Sequence, residues 1–168
     1  MYKTVSAIGS VEAGRLVYFH NHGDPGPGVY FPDSWHQNRA QFAQNGTTVP
    51  PDFDGKALKA LATEGFYRVT KEFFCCDKQC TKFENDVFVQ LGYNGAGTPI
   101  LFMPELTANG IKIPERGTVV DEKNLKNIVL LRLAQRDAAN PEGGGSGGGG
   151  NTKDKPEIRF PRGGFTLH

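Results

Sequence analysis

Three cysteines in 168 residues, all between positions 75 and 80, are too few and too close together for a disulfide framework. Cys75 and Cys76 are neighbours, which an ordinary unstrained disulfide does not join, and an odd count leaves at least one thiol free. A reducing compartment, the cytoplasm, is therefore expected. No apolar run approaches the roughly eighteen residues that span a bilayer. The chain opens Met1-Tyr2-Lys3-Thr4, without an apolar signal segment. Together these two absences point to a soluble protein with no membrane role. Charge of one sign is missing too: 19 Lys and Arg stand against 18 Asp and Glu. Without a basic surplus there is no electrostatic footprint for nucleic acid. Gly92-x-x-Gly95-x-Gly97 lies between strand-like stretches and lacks the strand-to-helix setting and the Lys-Ser/Thr of a phosphate cradle. No nucleophile, base and orienting residue stand in a recognisable set, so neither catalysis nor a cofactor is expected.

What the chain has in quantity is glycine, 22 residues, seven of them in the eight positions Gly143 to Gly150 around Ser146. Such a run has no side chains to pack and the most backbone entropy to lose, so it is no part of a core. It reads as an engineered tether. It separates a single globular binding domain, residues 1–142, from a terminal segment, Asn151–His168. Fully extended, the eight residues reach about 27 Å, and their coil average is nearer 16 Å. A ligand tethered this way experiences a millimolar-order effective concentration. The alternative is a natural loop replaced by glycines, with residues 151–168 as the domain's own last strands.

The terminal segment carries Lys153, Lys155, Arg159 and Arg162 against Asp154 and Glu157, leaving 15 basic and 16 acidic residues in the domain. Its sequence alternates: Ile158 and Phe160 share one side, as do Phe165 and Leu167, with Pro161-Arg162-Gly163-Gly164 able to turn the chain between them. A segment of this kind suits strand addition to a sheet edge, with the four apolar residues as anchors and Arg162 seeking a carboxylate or carbonyl rim. The expected function is a non-catalytic peptide- or protein-binding domain, an adaptor, chaperone or assembly factor, whose partner is the protein that supplies this peptide. Strand exchange or oligomerisation is a further possibility for the same edges.

Within the domain, Arg15–His20 and Gly28–Phe31 are aromatic and β-branched and flank a cluster of turn formers, which predicts a long-looped hairpin. Its rigid aromatics Tyr18, Tyr30 and Phe31 make it the expected peptide groove. Trp35–Gln44 reads as a short helix or an irregular excursion, and Pro50-Pro51 as an extended connection. Asp54 caps a predicted helix over Lys56–Ala62. Phe66–Phe74 and Asp86–Leu91 are predicted strands joined through the cysteines, and Asn94–Gly97 and Asn109-Gly110 are turns. Asp121–Arg136 is the expected main helix, with Arg132 projecting into its apolar stripe, although Ile128–Leu131 also suits a strand. The predicted class is α+β: antiparallel hairpins in a sheet or partly open barrel, with two helices, one closing the domain.

The metal-like residues are His20, His22, Cys76 and Cys80. On a strand His20 and His22 project to one face, as two ligands of one ion would. Gly14-x5-His20-x-His22 resembles the opening of a cupin metal motif over nine residues. That resemblance implies a metal held by these histidines, with a glutamate a few positions on and a further histidine in a second motif. Here Gly23-Asp24-Pro25-Gly26 follows instead, and no histidine lies between His36 and His168. Cys75, Cys76 and Cys80 either join a zinc site or mark a tight turn between strands.

Overall fold

The computed structural model describes residues 1–21 and 26–132, all within one unit of the chain, Met1–Leu133. The first half runs β1 (Tyr2–Thr4), β2 (Leu16–His20), β3 (Gly28–Tyr30), β4 (Pro32–His36), β5 (Arg39–Phe42), β6 (Thr47–Thr48) and β7 (Leu58–Ala60). The second half runs β8 (Gly65–Val69), β9 (Phe73–Phe74), β10 (Lys82–Phe83), β11 (Phe88–Tyr93), β12 (Pro99–Phe102), β13 (Glu105–Thr107), β14 (Gly110–Lys112) and β15 (Thr118–Val119). A 3-10 helix, Glu122–Asn127, and β16 (Ile128–Leu130) follow. Two five-stranded antiparallel sheets result, β6-β3-β2-β1-β7 and β15-β12-β11-β8-β16, with three separate two-stranded hairpins. Both sheets are open.

This is not the α+β class expected from the sequence. Among the described residues the helical element is that one short 3-10 turn. Residues 56–62 fail as a helix for a local and a distant reason. Asp54 does accept the Lys56 N–H at 3.0 Å, as a cap would. Gly55, however, takes φ +79°, and the Leu58 N–H closes a turn on the Gly55 carbonyl at 3.0 Å. Leu58–Ala60 then pair with Thr4, Lys3 and Tyr2 as the edge of the first sheet. So few residues gain more from a strand partner than from an isolated helical turn.

The expected closing helix is replaced in the same way. Asp121 makes no side-chain cap bond, the 3-10 turn ends at Asn127, and Ile128, Val129 and Leu130 pair with Val69, Arg68 and Tyr67. These β-branched and branched residues complete an edge that β8 would otherwise leave open. Arg132 is exposed. The rest of the predicted helix, residues 133–136, lies outside the described residues. Pro50 initiates a turn, with the Phe53 N–H on its carbonyl at 3.1 Å, rather than an extended connection.

Trp35–Gln44 forms neither a helix nor an irregular loop; it is mostly hairpin. β4 pairs with β5 around Gln37 and Asn38, whose φ values of 49° and 63° fit the two-residue turn that matches strand twist. This hairpin lies over the outer face of β11. The Asn38 side chain donates to Gln90 at 3.2 Å and to the Pro114 carbonyl at 2.9 Å, and Gln90 donates to the Gln37 carbonyl at 2.8 Å. Gly92 is required here because a Cβ would stand 2.4 Å from the Asn38 carbonyl oxygen. Trp35 adds an indole N–H bond to the Tyr93 carbonyl at 2.8 Å. Thus β11 is covered on both faces and is buried along most of its length.

Two cores form. One gathers Tyr67, Val69, Val89, Leu91, Tyr93 and Leu101 of the second sheet with Leu16, Phe73, Phe83, Cys75 and Val120. The other gathers Ile8, Val11, Val17, Val29 and Val49. Neighbours Leu16 and Val17 project to opposite faces of β2 and enter different cores, so this strand links them. No helix of the described residues is long and apolar enough to cross a membrane.

Candidate functional site

The expected hairpin forms, with Tyr18 opposite Tyr30, Phe19 opposite Val29 and His20 opposite Gly28. Strand alternation puts Tyr18, His20 and Tyr30 on one face, where Phe42 and Ala43 close over them to line a hollow of about 340 Å³. Ala43 is held there by its N–H on the Phe31 carbonyl at 2.9 Å. Tyr18 lies 5.8 Å from the Phe42 ring and is stacked on His20 at 6.5 Å. Tyr30 is braced from behind, since a Cβ on Gly46 would come within 2.7 Å of its ring. Among the described residues the walls are aromatic, with no acidic side chain among them. Phe31, the third expected groove residue, is not part of this hollow. It faces the other way, packs on the second core, and has the Arg15 guanidinium 5.1 Å above its ring.

Phe42 and Ala43 went unforeseen because nothing in their local sequence places them against residues 18 to 30. A wider cleft of about 720 Å³ lies elsewhere, between the β4–β5 and β13–β14 hairpins, lined by Trp35, Phe66, Gln90, Ile111 and Glu115 among others. It is more polar than the aromatic hollow, and Gln90 is already engaged by Gln37 and Asn38.

The metal candidates separate. His20 belongs to the aromatic hollow. His22 lies outside the described residues, as do the expected anchors Ile158, Phe160, Arg162, Phe165 and Leu167. Among the described residues, the group close enough to share an ion is Cys75, Cys76 and Cys80, with the three sulfurs within 4.8 Å of one another. Cys75 is buried, Cys76 half-buried and Cys80 exposed, and all are free thiols. Hydrogen bonding from the Cys75 thiol, then from the backbone N–H groups of Cys80 and Lys78, holds the Cys76 thiol below the ordinary range. Cys80 is pushed upward by its bond with Cys76 and by that neighbour's charge.

Glu64 is a buried carboxylate whose two oxygens accept the Ala40 N–H at 3.3 and 3.1 Å. Arg39 donates to the Glu64 carbonyl at 3.0 Å. This group anchors β5 to the start of β8 through the Ala40 N–H, so its role is architectural. Compared with protein-family models, with curated proteins and with solved structures, the chain matches none.

Proposed function

We propose that the described unit is a non-catalytic peptide- or protein-binding domain whose receptor surface is the hollow of Tyr18, His20, Tyr30 and Phe42. The observation that carries this reading is a concave, mostly apolar surface walled by aromatics, of which Tyr30 packs closely on Gly46. Large, stiff side chains contribute contact area at little conformational-entropy cost, which is why aromatics dominate binding hot spots. A hollow of about 340 Å³ accommodates one aromatic or branched side chain of a peptide.

The ligand proposed is a peptide of the type written in Asn151–His168. Phe160 or Phe165 would enter the hollow. Its backbone would run along β6, an edge strand that pairs with β3 through Thr48 and Thr47. Among the described residues no carboxylate lines the hollow, so Arg162 would meet a ring face or a backbone carbonyl there. The test is calorimetric titration of a synthetic 151–168 peptide into residues 1–142, repeated with Tyr30→Ala. Saturable binding that weakens about tenfold or more in the variant supports the reading. Equal binding by both proteins contradicts the assignment of the hollow.

A further inference from the structure

We propose that Cys75, Cys76 and Cys80 form a three-thiolate site for a thiophilic d10 cation of the zinc, cadmium or copper(I) class. This site is independent of the aromatic hollow. Metal–sulfur bonds of about 2.3 Å place three ligands of one ion roughly 3.8 to 4 Å apart. The Cys75 and Cys76 sulfurs are 3.5 Å apart, those of Cys76 and Cys80 are 4.0 Å apart, and the whole set fits within 4.8 Å. Closing the Cys75–Cys80 separation by at most about 1 Å brings all three to a common centre. Thiolate donors select soft cations over magnesium or calcium, which take oxygen ligands.

The fold builds this convergence. β9 and β10 pair Phe73 with Phe83 and Phe74 with Lys82, closing a hairpin just behind the cysteines. The Phe73 and Phe83 rings stack at 5.1 Å beneath it and fix its base in the core. Beyond them the Cys75 N–H bonds the Thr81 carbonyl at 2.8 Å, and the Gln79 N–H bonds the Cys76 carbonyl at 2.9 Å. Gln79 takes φ 55°, which turns the chain so that Cys80 returns over Cys76. A backbone donor is already aimed at sulfur: the Thr81 N–H reaches Cys75 Sγ at 3.3 Å. Amides directed at thiolates offset the charge of a three-sulfur site, as second-shell donors do around metals.

Binding deprotonates whichever thiols still carry protons and releases those protons to solvent, with no change of oxidation state. It also fastens the hairpin to the 3-10 helix, because the Cys75 carbonyl accepts the Asp121 N–H at 2.8 Å and Asn124 donates to the Phe74 carbonyl at 2.9 Å. An ion that binds the folded state alone raises the melting temperature.

The experiment is anaerobic titration of the reduced, chelator-treated full chain with Cd2+, following the thiolate-to-cadmium charge-transfer absorption. Zn2+ and Cu(I) are run in competition with chromophoric chelators. Saturation at one equivalent, with a higher melting temperature, is expected. Cys76→Ser, at a half-buried position, and Cys80→Ser, at an exposed one, should each abolish stoichiometric binding, with the Cys80 variant melting as before in the metal-free state. No binding of any of the three cations to the reduced protein would overturn the proposal. So would one-equivalent binding that survives in both serine variants.

Discussion

The Glu64 carboxylate accepts the backbone N–H of Ala40 through both oxygens, at 3.3 and 3.1 Å, and so ties β5 to the strand that follows Glu64. Burial raises its pKa above the usual carboxylate value, against the opposing pull of the Ala40 N–H, Arg39, the Tyr93 N–H and the chain's amino group. A carboxylate whose folded pKa exceeds its unfolded one binds a proton more tightly when folded. Its contribution to stability is complete below the unfolded pKa and is lost as pH rises through the folded value. Glu64→Gln should flatten this part of the pH–stability curve, measured by urea unfolding across the acid to neutral range. Glu64→Ala leaves the Ala40 N–H without its partner and should cost about 1–3 kcal/mol.

Gly92→Ala tests the close crossing of the β4–β5 hairpin over β11. The added Cβ would collide with the Asn38 carbonyl, a backbone atom that moves only if the hairpin shifts. A loss of about 1–3 kcal/mol is expected, with hydrogen-exchange protection falling at the Ala40 N–H. An unperturbed melting curve would contradict the crossing.

Phe31→Ala and Phe42→Ala should behave differently although both residues are half-buried. Phe31 packs on the second core, so its loss should lower stability by about 3 kcal/mol or more. Phe42 packs on the first core and also lines the hollow, so its loss should lower stability too but weaken peptide binding more than the change at Phe31, once each variant is compared while fully folded. Chemical denaturation and peptide titration of the two proteins provide the comparison.

Removing residues 143–168 should leave cooperative thermal unfolding intact. Among the described residues, the members of both cores lie within the first 130 positions. Loss of cooperativity in the truncated protein would instead favour residues 151–168 as strands of the domain itself.

Local signals made some of the fold legible. Asn109-Gly110 announced the β13–β14 reversal, and Asn94 does turn the chain, its side-chain oxygen accepting the Ala96 and Thr98 N–H groups at 3.0 Å. The β2–β3 hairpin was equally readable from its flanking aromatics and turn formers, although its register, with Tyr18 opposite Tyr30, was not. What escaped was conformation imposed from afar. Leu58 becomes strand because Thr4 offers it an edge, and Val129 because Arg68 does. Neither partner is visible in a helical window of sequence. The Gln37-Asn38 turn has no glycine, and it is held by Gln90 and Pro114, more than fifty positions away. Phe42 reached the hollow through that same hairpin, so the site was only half readable. The cysteines were readable as a cluster, but the left-handed Gln79 that returns Cys80 over Cys76 was not.

The most direct test of the binding account is chemical-shift mapping of isotope-labelled residues 1–142 as the 151–168 peptide is added. The account predicts saturable shifts centred on Tyr18, His20, Tyr30, Phe42 and Ala43, and extending along Thr47 and Thr48. An unchanged spectrum at saturating peptide, or shifts confined to the cleft around Trp35 and Phe66, would contradict it.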